Sequence, residues 1–493
     1  MTQALRSRLP HLVRLVVAGA GGALAVAGFA PFYWYPLSLL GLALLFALWR
    51  GAPSGRAALL GFAWGLGFFG VGVSWVYVSL TEFGGMPAWM GMAGVALFCA
   101  LLAVFPALVG WARAGYCAQA PAWLALPALW ALAEWLRGWL FTGFPWLQLG
   151  YSQVPASPLA AYAPVLGVLG VGLAVSLTAA LGVHLVAGPR RLRAALGLAL
   201  VWVVAVGLGR VDWTRPSGAP LRVALLQGDV AQTMKWEPGQ VRASLERYLA
   251  LAQGSSASLI ILPETALPVF WSDLPADYRR AFAALARSRG GDVIAGVVSG
   301  EPDGAYYNSA VSLGAGPVQM YSKHHLVPFG EYVPPGFAWI VHWLRIPLSD
   351  FTPGPARQAP IVAAGQKLAM NICYEDAFGR EVIRQLPAAT VLVNVSNDAW
   401  FGHSLAPWQH AQMSQARALE TGRMALRATN TGVTAVIGRH GEMRAHLPEF
   451  TRGVLEAQLQ GYAGETPYVR WGDGAALALA WAMLGLACFR RRP

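Results

Sequence analysis

Charge is what this chain has least of. Asp, Glu, Lys and Arg make up 12% of its 493 residues, about half of the roughly 25% usual in a soluble globular protein. The deficit excludes a chain that meets water on every side and makes lipid part of its solvent. Cysteine is scarce too: of four residues, Cys99, Cys117 and Cys488 lie in or beside apolar runs. Cys373 stands alone in the polar part of the chain, so that part has no internal disulfide to close. A lone thiol there is either a small buried hydrophobe or a reactive group. No internal repeat and no low-complexity tract is present. The formal net charge is +12, but many Arg residues sit in short segments between apolar runs, the pattern of topology signals, which sets nucleic acid aside.

What the chain has in excess is hydrophobic residues, 56%, and 21 Trp, a ring that favours the membrane interface. Apolar runs near the roughly 20 residues a helix needs to cross a bilayer predict spans at Leu12–Ala30, Tyr33–Trp49, Ala57–Val78, Ala88–Trp111, Ala122–Leu140, Leu159–Val186 and Leu192–Leu208, with a last, short one at Gly474–Phe489. Leu159–Val186 has room for a re-entrant or interfacial piece. The first run lacks an A-x-A-like cleavage site and the next begins at once, which argues against a leader. Arg6, Arg8 and Arg14 lie before or at the first span. Arg50 and Arg56 follow the second, Arg113 the fourth, and Arg190, Arg191 and Arg193 the sixth, while the alternate connections lack Lys and Arg. That asymmetry predicts a cytoplasmic N-terminus and, after seven spans, an outside location for the polar part of the chain. Glu134 and Arg137 share a helix face in the fifth span and read as a structural ion pair.

From about Arg222 to Ala457 short β-rich runs alternate with polar or helical stretches. Strands are predicted at Arg222–Gln227, Leu259–Leu262, Val293–Val298, Ala310–Leu313, Leu368–Cys373 and Val391–Val395, and helices at Gln240–Ala252 and Asp277–Ser288. The alternation predicts an α/β domain with a largely buried sheet. The expected organisation is a multi-span α-helical membrane bundle over residues 1–210, an external α/β domain over 220–460, and a closing span over 472–490.

Three segments of the external domain carry chemistry: Leu262-Pro263-Glu264-Thr265-Ala266, Tyr321 to Glu331, and Asn371-Ile372-Cys373-Tyr374-Glu375-Asp376. The first and third lie at strand ends, where α/β sheets collect functional groups. Cys373 can serve as a nucleophile, but a free thiol is mostly protonated and needs a base or cation nearby. Glu264 can take its proton and return it to a leaving group, and Lys323 can stabilise thiolate and oxyanion. Singly, a Cys at a strand end is usually core and a lone Glu or Lys is usually solvated or paired. His324 and His325 have no Cys or carboxylate partners at metal spacing, so no metal is expected.

In this order the three segments resemble the carbon–nitrogen hydrolase, or nitrilase, superfamily, and within it the apolipoprotein N-acyltransferase family, over essentially the whole chain. Smaller motifs extend the likeness: Val73-Ser74-Trp75-Val76-Tyr77, Phe83-Gly84-Gly85-Met86-Pro87, Phe144-Pro145-Trp146, Gly150-Tyr151-Ser152-Gln153, and Leu226-Gln227-Gly228 followed by Lys235-Trp236. Asp229 departs from the Asn expected after Gln-Gly. The resemblance implies seven spans, an external nitrilase-like α-β-β-α sandwich and a final span, in the inner membrane of a bacterium with the catalytic domain periplasmic. It implies a Glu264, Lys323, Cys373 triad supported by Glu331, Tyr374 and Glu375, with Trp236, Trp146 and Tyr151 toward substrate and no cofactor. The implied reaction moves an acyl chain from a phospholipid, phosphatidylethanolamine by expectation, through a Cys thioester to the N-terminal S-diacylglyceryl cysteine of apolipoproteins. A membrane-anchored amidase would keep the triad without the lipids, although eight spans are excessive for an anchor. A transporter or sensor with an external binding domain would keep the fold and need no triad.

Overall fold

The computed structural model describes residues 10–232, 238–300, 304–314, 316–334 and 350–489. The chain divides into two compact units, one of Met1–Tyr77, Pro87–Asp212 and Arg470–Pro493, the other of Val78–Met86 and Trp213–Val469.

The first unit is helical: α1 (His11–Val26), α2 (Tyr35–Trp49), α3 (Ser54–Gly72), α4 (Ala88–Gly115), α5 (Ala122–Arg137), α6 (Ala163–Ala187) and α7 (Arg191–Leu208). Helices α1, α3, α4 and α5 are each entered through a proline, Pro10, Pro53, Pro87 and Pro121, whose ring fixes φ and supplies no N–H the helix would need. Helices approach closely where the contact is glycine. A Cβ on Gly22 of α1 would sit 2.0 Å from the Trp64 carbonyl of α3, so any other residue would push the pair apart, as in small-residue packing of membrane helices. Among the described residues four helices suffice, by length and composition, to cross a membrane: α3, α4, α7, and the stretch Pro158–Ala187 that contains α6. Helices α1 and α2 and the residues Gly474–Ala487 are apolar but shorter. On α7 the exposed Leu192, Leu196, Leu200 and Val203 recur at helical spacing and form one apolar face.

Two expected spans differ in detail. The run Ala57–Val78 is helical only to Gly72, where Leu147 packs in the space a Cβ would need. A short helix, Val76–Val78, and a π-helical turn, Ser79–Phe83, come next. The run Leu159–Val186 opens with a 3-10 turn over Pro158–Tyr162, and α6 breaks at Gly167, whose φ of 67° no β-carbon residue adopts readily.

The second unit is built on two sheets. Its strands are β1 (Thr214–Gln227), β2 (Leu259–Ile261), β3 (Leu267–Phe270), β4 (Asp292–Gly300), β5 (Tyr306–Leu313), β6 (Met320–Ser322), β7 (Ile361–Ala363), β8 (Gln366–Ile372), β9 (Val391–Ser396), β10 (Ala425–Thr429), β11 (Ala435–Ile437), β12 (Met443–His446) and β13 (Gly453–Gly464). Its longer helices are α8 (Pro238–Gln253), α9 (Ala276–Ser288) and α10 (Ala406–Thr421); α11 (Gly474–Phe489), in the helical unit, closes the chain. One sheet has the order β13-β1-β2-β4-β5-β6, with β3 also paired to β4; the other has the order β12-β11-β10-β9-β8-β7. Strands β1, β2 and β4 run parallel, as do β8, β9 and β10, and antiparallel strands flank each trio.

Side-chain alternation divides the core into layers. Val223 and Leu225 of β1 pack with Leu368, Met370, Ile372, Val393 and Val395 of the other sheet. Ala224 and Leu226 turn the other way, toward Leu245 and Tyr248 of α8 and Phe282 and Ala286 of α9. On the far side Ala369, Leu392, Ala425 and Ile437 pack with Ala411 and Ala418 of α10. Both predicted helices and four of the six predicted strands fall within observed elements; the other two overrun by one residue, Leu262 lying past β2 and Cys373 past β8. Strands β3, β6, β7 and β10–β13 and helix α10 were not foreseen.

Candidate active site

The chemistry collects at three strand ends. Glu264 lies just past β2, Lys323 directly after β6 and Cys373 directly after β8, so the first two come from one sheet and the third from the other. Lys323 is 1% exposed and Glu264 7%, which removes most of their hydration and leaves their charges to each other. Lys323 Nζ lies 3.6 Å from Glu264 Oε1 and 2.8 Å from Glu331 Oε2. Asn308 of β5 bridges the carboxylates, its Nδ2 donating to Glu264 Oε1 at 2.7 Å and to Glu331 Oε1 at 2.9 Å. The backbone N–H of Asn397 donates to Glu264 Oε2 at 2.9 Å, and that of Val327 to Glu331 Oε2 at 2.9 Å. Burial would push the Lys323 ammonium toward neutrality, but Glu331 and Glu264 outweigh it and raise its pKa above the usual lysine value.

Cys373 is partly buried and opens a 3-10 turn, Cys373–Ala377, with φ of 52°. A β-carbon residue holds that conformation only where its surroundings impose it, and such strain clusters at functional sites. Burial first, then the Glu264 carboxylate, push the thiol up; Lys323 and a hydrogen bond with Ser396 act the other way. The thiol's charged neighbours thus oppose one another, the Glu264 carboxylate disfavouring a thiolate and the Lys323 ammonium favouring it. This arrangement suits proton transfer to Glu264 during attack rather than a standing thiolate.

Glu375 is fully enclosed and ties the segments together. Its carboxylate accepts from the N–H of Ile372 at 2.7 Å, from the N–H groups of His324 and His325 at 2.7 and 3.2 Å, and from the Tyr321 hydroxyl at 3.1 and 3.0 Å. One side chain thus fixes the loop after Lys323 to the turn that carries Cys373. Tyr374 packs edge-on against Phe378 and His325. His324 Nδ1 lies 2.8 Å from the Gly354 carbonyl, and His325 Nδ1 lies 3.3 Å from Glu381. Among the described residues no group of three His, Cys, Asp or Glu side chains is arranged for a metal ion.

Three residues were expected toward substrate: Trp146, Tyr151 and Trp236. Trp146 and Tyr151 belong to the helical unit and are buried there, Trp146 against Trp75 and Phe144. Trp236 lies outside the described residues. Glu134 and Arg137 hold the same loop as Trp146: Arg137 donates to the carbonyls of Phe144 and Trp146 at 2.6 Å each, and Glu134 accepts from the Leu149 N–H at 2.8 Å. Sequence reasoning missed Asn308, Ser396 and Asn397. The last two sit in the polar run Ser396-Asn397-Asp398 that ends the apolar strand β9, so the strand-end argument applied to Cys373 reaches them too.

Two family models match the chain: apolipoprotein N-acyltransferase N-terminal domain over residues 21–181 and carbon-nitrogen hydrolase over residues 222–468. A relative from Nitrosomonas europaea named apolipoprotein N-acyltransferase is 51% identical over 488 residues, covering 97% of this chain and 98% of its own. One of the same name from Methylococcus capsulatus is 47% identical over 487 residues, covering 97% and 96%. Among solved structures, a carbon-nitrogen hydrolase from Helicobacter pylori is 19% identical over 55% of this chain and 95% of its own, with a TM-score of 0.35. A mutant amidase of the nitrilase superfamily from Nesterenkonia is 20% identical over 54% and 98%, with a TM-score of 0.37.

Proposed function

Because this chain belongs to the apolipoprotein N-acyltransferase family, with a carbon-nitrogen hydrolase domain, we propose that Cys373, Glu264 and Lys323 carry acyl transfer from a phospholipid to the N-terminus of a lipoprotein. The observation that carries this reading is the shared ammonium: Lys323 is buried between Glu264 and Glu331, and Glu264 and Lys323 both act electrostatically on the Cys373 thiol.

In the first half-reaction Cys373 Sγ attacks the carbonyl carbon of the sn-1 ester, with phosphatidylethanolamine the expected donor, and its proton passes to Glu264. Lys323 faces the developing oxyanion. The C–O bond breaks, Glu264 returns the proton to the departing alkoxide, and a lysophospholipid leaves a thioester on Cys373. In the second half-reaction the free amine of an S-diacylglyceryl cysteine attacks that thioester. Its proton goes to Glu264, the C–S bond breaks, and the sulfur recovers the proton as the N-acyl product departs. The scheme is ping-pong with a covalent intermediate.

Lipid substrates account for the apolar helices. Each CH₂ taken from lipid into water costs about 0.8 kcal/mol, so a long acyl chain reaches the sulfur only from the membrane. We place the enzyme in a bacterial inner membrane with all eight helices spanning, both termini cytoplasmic and the catalytic unit periplasmic. The alternation of Arg-rich and Arg-free connections supports this orientation.

The test is intact-mass spectrometry of the purified full chain after incubation with phosphatidylethanolamine and no acceptor. One acyl adduct that maps to Cys373 and disappears in a folded Cys373→Ala variant is expected. Acyl transfer to a diacylglyceryl peptide by Cys373→Ala at the normal rate would overturn the covalent scheme.

A further inference from the structure

Behind the nucleophile lies a second cluster of charged groups that the reaction scheme does not use. Asp398, His410 and Arg427 are each at most 1% exposed. Arg427 Nη2 lies 2.7 Å from Asp398 Oδ2 and 2.8 Å from His410 Nδ1, and His410 Nδ1 lies 3.0 Å from Asp398 Oδ1. Arg427 Nη1 donates to Asn394 Oδ1 at 2.7 Å. Buried charges of this kind stabilise little over apolar packing, so their placement asks for another reason.

The cluster points at the backbone of the nucleophile. His410 Nε2 is 3.0 Å from the carbonyl oxygen of Cys373, and Asn394 Nδ2 donates to the same oxygen at 3.1 Å. A carbonyl only accepts, so Nε2 carries a proton toward Cys373, while Nδ1 lies between the Arg427 guanidinium and the Asp398 carboxylate. Cys373 is the residue held at φ 52°, and an isolated peptide would relax from that angle. Asp398, itself at φ 52°, follows Asn397, whose N–H donates to Glu264. The same cluster therefore reaches the nucleophile through one carbonyl and the base through one amide.

We infer that His410, oriented by Asp398 and Arg427, is a positioning residue for acyl transfer: its Nε2–H grips the Cys373 carbonyl and holds the nucleophile in its left-handed conformation, facing Glu264 and Lys323. The inference rests on Cys373 being the acyl-carrying sulfur. His410 touches no reacting atom. Its effect falls on the chemical step and not on lipid binding.

Two substitutions separate positioning from the filling of buried space. In His410→Gln the amide nitrogen reaches about where Nε2 lies, whereas in His410→Asn it reaches only about as far as Nδ1. The second variant keeps a polar partner for Asp398 and Arg427 but releases Cys373. The full chain in detergent micelles with phosphatidylethanolamine and a diacylglyceryl-cysteine peptide gives kcat and KM for each. His410→Asn is expected to lower kcat about tenfold, as one lost hydrogen bond of about 1.4 kcal/mol predicts, with KM unchanged. His410→Gln is expected to stay within about twofold of the parent. Equal loss in both variants, or loss in neither, overturns the proposal. Should His410→Asn fail to fold, Asn394→Asp decides. It keeps its size and its contact with Arg427 but turns a donor to Cys373 into an acceptor, and an unchanged kcat there is equally fatal. Persistent transfer by Cys373→Ala in the same assay would instead remove the nucleophile assignment, whatever the His410 variants do.

Discussion

Replacing Glu264 by Gln keeps the shape of the side chain and removes its charge. The carboxylate accepts from Asn308 Nδ2 at one oxygen and from the Asn397 N–H at the other. An amide has a single acceptor oxygen, so one of these buried donors is left against an NH₂ group, at a cost of about 1–3 kcal/mol. The fold should withstand that, because Lys323 retains Glu331 at 2.8 Å. On the proposed mechanism the chemical step then loses its base and acid, a factor of about 10²–10⁴, or about 2.7–5.4 kcal/mol at 1.36 per decade. The pH dependence then separates Glu264 from Lys323. Burial and Glu264 push the Cys373 thiol up while Lys323 pulls it down. In Glu264→Gln one raising influence is gone, and each added pH unit below the thiol pKa gives about ten times more thiolate, so acylation climbs toward alkaline pH. In Lys323→Ala the lowering influence is gone and an oxyanion donor worth about 10²–10³ is missing. Alkali cannot replace that donor. In the parent, Lys323 stays charged into the alkaline range because its pKa lies above the usual lysine value. The assay is rapid-quench intact-mass measurement of Cys373 acylation from about pH 6 to about pH 10, a range below the raised pKa of both the thiol and the ammonium. An undiminished rate for Glu264→Gln at neutral pH removes Glu264 as the base. Equal alkaline recovery of Lys323→Ala removes Lys323 as the oxyanion donor.

Glu375→Gln should lower thermal stability by about 1–3 kcal/mol and slow acylation, because four donors from two chain segments converge on that carboxylate. Tyr321→Phe removes one hydroxyl from the set and should cost only about 1 kcal/mol; the reverse ranking in a melting and acylation series would refute the staple. Asp398 is opposed by burial, yet Arg427 and His410 hold its carboxyl well below the usual carboxylate range. Its stabilisation is therefore present above an unfolded pKa of about 3.9 and lost as pH falls below that toward the folded value. Asp398→Asn should melt well below the parent at pH 7, by about 3–5 kcal/mol for a broken buried pair. The gap should narrow below about pH 4, and a gap independent of pH contradicts the assignment. For orientation, Arg357→Cys, at an exposed position, should react with a membrane-impermeant maleimide in cells whose inner membrane is intact. A cysteine added at the C-terminus should react only after permeabilisation, and equal labelling of both overturns the topology.

The parts of the site legible in the sequence were those with local signatures. Glu264 and Cys373 follow apolar strands, and Lys323 opens a distinctive His-His-Leu-Val-Pro run. What escaped was polar structure buried where apolar periodicity is the only guide. Strand β10 carries Arg427 at its centre, fully enclosed, and a charge in a five-residue run erases the strand pattern. Helix α10 is buried on every face although it contains Gln409, His410, Gln412, Gln415, Arg417 and Glu420. Its composition reads as a solvated helix, whereas His410 reaches Asp398 and Cys373, Gln415 donates to the Gly441 carbonyl, and Arg417 pairs with Glu420 within the helix. Strand β13, at a sheet edge, mixes half-buried, exposed and buried positions without a steady period, which leaves it little hydrophobic signal. The helical unit was easier, since long apolar runs declare themselves. Its errors are at breaks such as Gly72 and Gly167, where one close contact or one backbone angle decides the end of a helix.

The trio of Glu264, Lys323 and Glu331 has a consequence for the order of events. Two carboxylates and one ammonium give this trio one negative charge in excess, and on the proposed chemistry the resting thiol, its proton not yet passed to Glu264, adds nothing. On the proposed chemistry a thioester adds nothing either. The resting enzyme and the acyl-enzyme therefore present the same ionic inventory to whatever arrives next. Neither a counter-ion nor a solvent proton has to be exchanged between the two visits, and the second caller finds Glu264 in the state in which the first one found it.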